Sequence, residues 1–194
     1  MPSPEIWGPP IWTFFHTLAE HVNEDLFLNI KNSLFSFITR ICNFLPCPEC
    51  SQHATLFLAK VNINKINNKT DFKNMLYVFH NSVNKRKRKY LYNYANIGKY
   101  KKYNVGSAFN QFVNVYHTKG NMNLIAESFQ RNLLVNDLKK WLIHNHKYFK
   151  PSRRVLQINT NTNTNTNTNT NTNTNTDSIT SNSNNNNETV DGVL

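Results

Sequence analysis

An all-α fold follows from three features of the sequence. Apolar residues recur at three- and four-residue spacing through successive segments, the pattern of helices that bury one face. A C-x-x-C pair, Cys47-Pro48-Glu49-Cys50, follows one such segment and opens the next. From Asn159 to Thr176 the chain alternates strictly between Asn and Thr, with nothing to bury against the entropy of ordering it. The 194 residues, with 13 Phe and 8 Tyr, therefore divide into one helical part able to build a core and a disordered tail.

Trp7-Gly8-Pro9-Pro10 reads as a loop entering a helix from Ile11 to about Val22, with Trp12, Phe15, Ala19 and Val22 at helical spacing. His16 falls one turn after Trp12 on the same face. A core tryptophan and a hydrogen-bonded core histidine account for that pair without any function. A second helix, Leu26 to Phe44, carries the stripe Leu34, Ile38, Ile41 and Leu45 and delivers the chain to the cysteines. The third runs from about Glu49 to Lys60, with Leu56, Phe57 and Leu58 for burial.

The Asn-rich residues 62 to 68 form a loop, and Thr70 is a candidate N-cap for a fourth helix with Phe72, Leu76, Phe79 and Val83 inward. His80, Asn81 and Asn84 cluster on that otherwise apolar helix, which suits a polar ligand lying against it or simply a solvated face. Five basic residues, Lys85 to Lys89, close it where cations meet the negative end of the helix dipole. A short helix from Asn93 to about Tyr100 follows, capped by Asn93. Two more patterns come after it, about Val105 to Tyr116 and Leu124 to Phe149, joined by a Lys119-Gly120-Asn121 turn. The last has a wide stripe, Leu124, Phe129, Leu133, Leu134, Leu138, Trp141 and Leu142, which needs a partner surface.

All 22 Lys and Arg lie at or before Arg154, whereas three of the 11 acids lie after it, so the helical part is strongly basic. Nucleic acid, an anionic membrane and an acidic protein all suit such a surface, and the charge chooses none of them. No apolar run reaches a membrane span and the first residues lack the layout of a signal peptide, so an intracellular, soluble protein is expected. In a reducing compartment three cysteines make no disulfide framework, and a C-x-x-C there is catalytic or metal-binding. As a redox pair it gains from a helix N-terminus, which stabilises a thiolate, and Pro48 suits the first helical turn. As a metal site, Cys42, Cys47, Cys50 and His53 supply three thiolates and an imidazole, a legitimate zinc set for an interaction module that binds nucleic acid through its basic surface.

Taken together, Trp7-Gly8-x-x-x-Trp12-x-x-x-His16, Pro46-Cys47-Pro48-Glu49-Cys50 and His80-Asn81-Ser82-Val83-Asn84 with Lys89 beyond resemble the Erv/ALR family of FAD-linked sulfhydryl oxidases, in the form carried by large cytoplasmic DNA viruses. The resemblance covers about residues 5 to 100. It implies a four-helix bundle with a short fifth helix that binds FAD beside a redox disulfide. Carried over, Gly8, Trp12 and His16 meet the cofactor from the first helix, and Tyr77, His80, Asn81, Val83, Asn84 and Lys89 meet it from the fourth helix and its end. Aromatic rings stacking on the cofactor, amides and imidazoles at its edges and a lysine at its diphosphate are chemically apt for those roles.

The implied reaction takes electrons from the thiols of a partner through Cys47 and Cys50 to FAD and then to dioxygen, giving hydrogen peroxide, with no metal. Cys47 is the attacked sulfur and Cys50 the flavin-proximal one. Leu45 stands where the family often has an aromatic residue, and Tyr77 where cellular members often have a structural cysteine. The second, shuttle C-x-x-C of many members is absent from the sequence. The expected partners are a dithiol protein, viral and thioredoxin-like or structural, together with dioxygen and a second copy in a homodimer; no membrane span and no nucleic acid are expected. The expected place is the cytoplasm, that of the host cell for a viral protein, with packaging in virions. The expected units are an oxidase domain over residues 1–100, an additional helical region over 101–158 outside the resemblance, and the tail over 159–194.

Overall fold

Helix α1 (Pro4–His21) is the centre of the fold, because residues 14–22 are buried without interruption. The computed structural model describes residues 3–116 and 125–149. Around α1 stand α4 (Lys69–Arg86), α5 (Val105–Tyr116) and a 3-10 helix over Tyr94–Lys102. Helix α2 (Phe27–Asn43) packs on α3 (Pro48–Leu58) and α6 (Ile125–His144), and α3 returns to α4. One hydrophobic core joins all six helices. The fold is all-α: among the described residues the extended backbone pairs only in an isolated bridge between Val22 and Phe149. No described helix is long and apolar enough to cross a membrane. The Lys119-Gly120-Asn121 turn and the Asn-Thr tract lie outside the described residues.

Helix α1 begins seven residues earlier than the sequence suggests and runs through Pro9 and Pro10. Ser3 caps it by accepting from the Glu5 N–H at 3.3 Å, with Pro4 in the first turn. The two later prolines remove only the donors that would serve the carbonyls of Glu5 and Ile6. Those residues are exposed, so water replaces the lost bonds, while proline φ is already helical.

The carbonyl end of α2 is closed by side chains distant in sequence. Ser51 Oγ donates to the carbonyls of Cys42 and Asn43 at 2.8 and 2.7 Å, and Thr55 Oγ1 donates to Asn43 Oδ1 at 2.8 Å. The buried Tyr116 hydroxyl donates to the Ile41 carbonyl at 3.1 Å. The Ser51 hydroxyl, its one proton shared between two carbonyls, and the Tyr116 hydroxyl, which joins the Phe44 N–H on Ile41, supply donors that a helix end lacks. They also fix the corner from which Cys47 departs.

Helix α4 is capped by Asn68, not Thr70. Asn68 Oδ1 accepts from the Asp71 N–H at 2.8 Å, while the Asp71 carboxylate accepts from the Asn67 N–H at 2.9 Å. This reciprocal pair sets the start two residues ahead of the threonine. At the other end, the N–H of Arg88 donates to Lys85 and that of Lys89 to Asn84, at 3.1 and 2.9 Å. Arg88 has φ 53°, so the helix stops in a Schellman turn with arginine where glycine is usual.

The expected short helix after Asn93 is a nine-residue 3-10 helix, with Asn93 its cap as expected. Its sequence explains the winding: Tyr94, Ile97, Tyr100 and Tyr103 recur every three residues, which is one face of a helix with three residues per turn. Two expected buried stripes are narrower than predicted. Leu56 is 58% exposed while Ala54 and Leu58 take the core, and in α6 Phe129 and Leu133 stay exposed while Leu134, Val135 and Leu138 are buried. Helix α5 seals α1 by stacking Phe112 on Phe14 at 5.0 Å.

Phe112→Ala should cost about 3–5 kcal/mol, since it empties a closed ring stack. Arg88→Gly should instead gain about 1 kcal/mol by relieving a left-handed residue that carries a side chain. Urea unfolding followed by far-ultraviolet circular dichroism measures both, and the two midpoints should move in opposite directions.

Candidate functional site

The corner after α2 places the cysteine pair at the N-terminus of α3. Cys47 is extended and caps the helix, its Sγ accepting from the Cys50 N–H at 3.3 Å, and Pro48 occupies the first turn, where a missing N–H costs nothing. The two cysteines are joined in a disulfide with Cα atoms 5.2 Å apart. Cys50 is buried against the interior and Cys47 is half-buried. The disulfide withdraws two thiolates from the alternative zinc set, and Cys42 is a buried free thiol whose pKa burial pushes far up. Among the described residues no three His, Cys, Asp or Glu side chains are grouped to hold a metal.

Cys50 forms part of the wall of a cavity of about 270 Å³ enclosed by α1, α3, α4 and residues 87–100. Gly8, Trp12, His80, Val83, Asn84 and Lys89 share that wall. Gly8 contributes emptiness: a Cβ there would meet nothing within 4 Å. Leu45 is in the wall too, an aliphatic surface where a ring was the alternative. Three residues expected at the site stand behind it. His16 lies under His80, with Nε2 3.2 Å from His80 Nδ1. Tyr77 packs edge-on against Tyr94 at 5.1 Å. Asn81 clasps a backbone peptide, accepting from the Tyr92 N–H at 2.7 Å and donating to its carbonyl at 3.1 Å.

The rings form a stack. His80 lies flat on Trp12, with centroids 4.1 Å apart and planes 7° apart, and Tyr92 stacks on His80 at 5.4 Å. Tyr100 stacks on His16 at 4.8 Å, and Lys99 sits over both tyrosines at about 5 Å. Burial depresses both imidazoles, that of His16 to about 3 with the neighbouring His80 as second cause, and that of His80 to about 4 with Lys99 as second cause. Both are therefore neutral at neutral pH, and a single proton serves the bond between them.

Sequence reasoning missed Arg86, His53, Tyr92, Lys99 and Tyr100 as residues of the wall. The three-residue tyrosine repeat was the signal for Tyr100, and Arg86 falls three residues after Val83, on the same helical face, concealed within a basic run. At the mouth, Lys89 Nζ pairs with the Glu5 carboxylate at 3.3 Å. The hydroxyl of Ser3, more than Lys89, holds Glu5 down at about 2. Both partners are exposed, so the pair is weak and easily exchanged for another anion.

A wall of this kind suits a flavin nucleotide. It offers aromatic and aliphatic faces, the Asn84 amide, the His53 Nδ1 buried without a hydrogen-bond partner among the described residues, and cations at Lys87, Lys89 and Lys99 for phosphate. The enclosed volume is close to the lower end of the about 300–1,000 Å³ common for ligand pockets.

The histidine pair makes a prediction about acid. Its folded pKa values lie below the ordinary 6.5, so stability is full above about pH 6.5 and is lost as pH falls from there toward 4, where the unfolded chain binds protons the fold refuses. A His16→Gln/His80→Gln protein should lose less stability than the wild type between pH 7 and about 5, in urea midpoints at each pH. Parallel curves would remove the pair from the acid sensitivity.

Comparison with known proteins agrees with this architecture. Residues 9–104 match the model of the Erv1 / Alr family. FAD-linked sulfhydryl oxidases of two African swine fever virus isolates are each 35% identical over 83 residues, 43% of this chain and 69% of theirs. The mitochondrial FAD-linked sulfhydryl oxidase erv1 of Schizosaccharomyces pombe is 28% identical over 87 residues, 44% of this chain and 48% of its own. No solved structure matches. With its disulfide at the helix start, its ring-lined cavity and a viral relative matched over more than two thirds of its length, this chain belongs to the Erv1 / Alr family.

Proposed function

We propose that the protein is an FAD-linked sulfhydryl oxidase that forms disulfide bonds in partner proteins. The observation that carries the reading is the placement of one disulfide between two environments: Cys47 is half-exposed at the corner, and Cys50 is in the wall of the cavity. A thiolate of the reduced partner attacks Cys47 and the electron pair of the broken bond leaves on Cys50. A second partner thiolate then attacks the partner's own sulfur in the mixed disulfide, releasing an oxidised partner and the Cys47 thiolate. The chemistry that bound FAD supplies is acceptance of these two electrons and their delivery to dioxygen, which yields hydrogen peroxide.

Gly8, Trp12, His80, Val83, Asn84 and Lys89 would hold the cofactor directly. His16, Tyr77 and Asn81 would act through the groups they position: His16 through the His80 ring, Tyr77 through Tyr94, and Asn81 through the Tyr92 peptide. In this reading Cys47 and Cys50 take their electrons directly from the thiols of a partner molecule.

Cys50→Ser should purify with flavin absorbance and fail to consume oxygen with dithiothreitol, because the wall survives while the electron donor does not. Cys42→Ser should keep most of the activity, since that thiol is buried and its pKa is far above neutral. A colourless wild-type protein carrying zinc would overturn the reading in favour of the metal module, and a dead Cys42→Ser protein would give that thiol a part in the chemistry.

A further inference from the structure

The half-reaction with a partner must leave negative charge on one sulfur of the pair, and the charges around the pair are not symmetric. Arg86 Nη2 donates to Cys50 Sγ at 3.7 Å, while Nη1 of the same guanidinium meets the Glu49 carboxylate at 3.7 Å. The fork therefore holds both groups at once, and the carboxylate, on a side chain 82% exposed, orients the cation more than it neutralises it. The Arg86 side chain is itself only about a third exposed. Cys50 shares its wall with Glu5, Cys42, His53, Lys87, Lys89 and Lys99, yet among the described residues the charged group in contact with its sulfur is Arg86.

Resting on the thiol oxidase reading, we propose that Arg86 is a catalytic residue that makes Cys50 the leaving sulfur, its guanidinium receiving the thiolate released when Cys47 is attacked. The step balances without a proton: the partner sulfur bonds to Cys47 Sγ, the Cys47–Cys50 bond breaks, and its electron pair stays on Cys50 Sγ. Arginine keeps its proton throughout, so its contribution is electrostatic and is present in the ground state only as a weak contact with a neutral disulfide. A thiol that leaves as a more stable anion leaves faster, and the cation is aimed at that atom.

Two nearby features could have done this task, and neither does. The Cys50 N–H points at Cys47 Sγ, which favours a thiolate on Cys47 and does not promote departure of Cys50. His53, one turn along α3 from Cys50, is the familiar imidazolium partner for a thiolate. Its pKa is lowered by burial and then by Arg86, both of which oppose a charged imidazole there. The cation placed on the Cys50 sulfur is thus the arginine.

The test reads the anion itself. In the purified Cys47→Ser protein, with whatever cofactor it carries, the Cys50 thiolate is titrated by its ultraviolet absorbance, with Cys47→Ser/Cys50→Ser as the blank. The expected midpoint lies below the ordinary value of about 8.5, and adding Arg86→Gln should raise it by about one unit, a tenfold loss of thiolate near neutral pH. Arg86→Lys should fall between the two and shows that an altered midpoint follows charge rather than misfolding. Identical midpoints with arginine and glutamine overturn the proposal. Failure of the wild type to oxidise dithiothreitol overturns the oxidase reading instead, whatever the titration shows.

Discussion

The closure of α2's carbonyl end is the constraint on which the site depends. A helix end must find donors for its last carbonyls, and here Ser51 on α3 and Tyr116 on α5 supply them. Three helices are thereby tied at one corner, and that corner releases the chain into Cys47. The sulfur pair is consequently held by rigid backbone on both sides, with Cys47 also acting as the cap of the helix that contains Cys50. The local need to satisfy polar groups and the functional need to hold a disulfide beside a cavity are met by the same atoms.

The cavity has an unusual electrostatic balance. Between Asp71 and Glu127 the sequence has no acid, and this stretch supplies Arg86, Lys87, Lys89 and Lys99 to one wall. Burial and these same cations lower the pKa values of His16, His53 and His80, which opposes further positive charge there. A site organised in this way favours anions at its mouth and at Cys50 without paying for buried imidazolium groups.

The sequence showed the helices by their three- and four-residue spacing, and the spaced motifs located the cavity through Gly8, Trp12, Cys50, His80, Val83 and Asn84. What it concealed depended on contacts between distant segments. Ser51 and Tyr116 look like ordinary residues until the end of α2 arrives beside them. Asn81 belongs to the same motif as His80 and Asn84, but its amide is turned to the Tyr92 peptide, and no spacing rule distinguishes a ligand contact from a backbone clasp. Pro9 and Pro10 misled because proline was read as a stop, whereas the carbonyls they orphan face water. The α6 stripe misled because apolar spacing counts what could be buried, and the neighbours leave Phe129 and Leu133 uncovered.

The clasp of Asn81 on Tyr92 and the continuous burial of α1 belong to different layers of stability. Helix α1 is enclosed on every side over residues 14–22, so exposing it requires dismantling the core. The segment over residues 87–93 is held by the backbone bonds of the turn that ends α4, the two Asn81 amide bonds, the Tyr92 hydroxyl bond to the Asn96 carbonyl, ring and cation contacts of Tyr92 and an exposed ion pair, each hydrogen bond contributing a net of about 0.5–1.5 kcal/mol. Lifting it therefore takes far less free energy than unfolding the protein. Disturbing this part of the cavity wall is therefore energetically separate from dismantling the bundle beneath it.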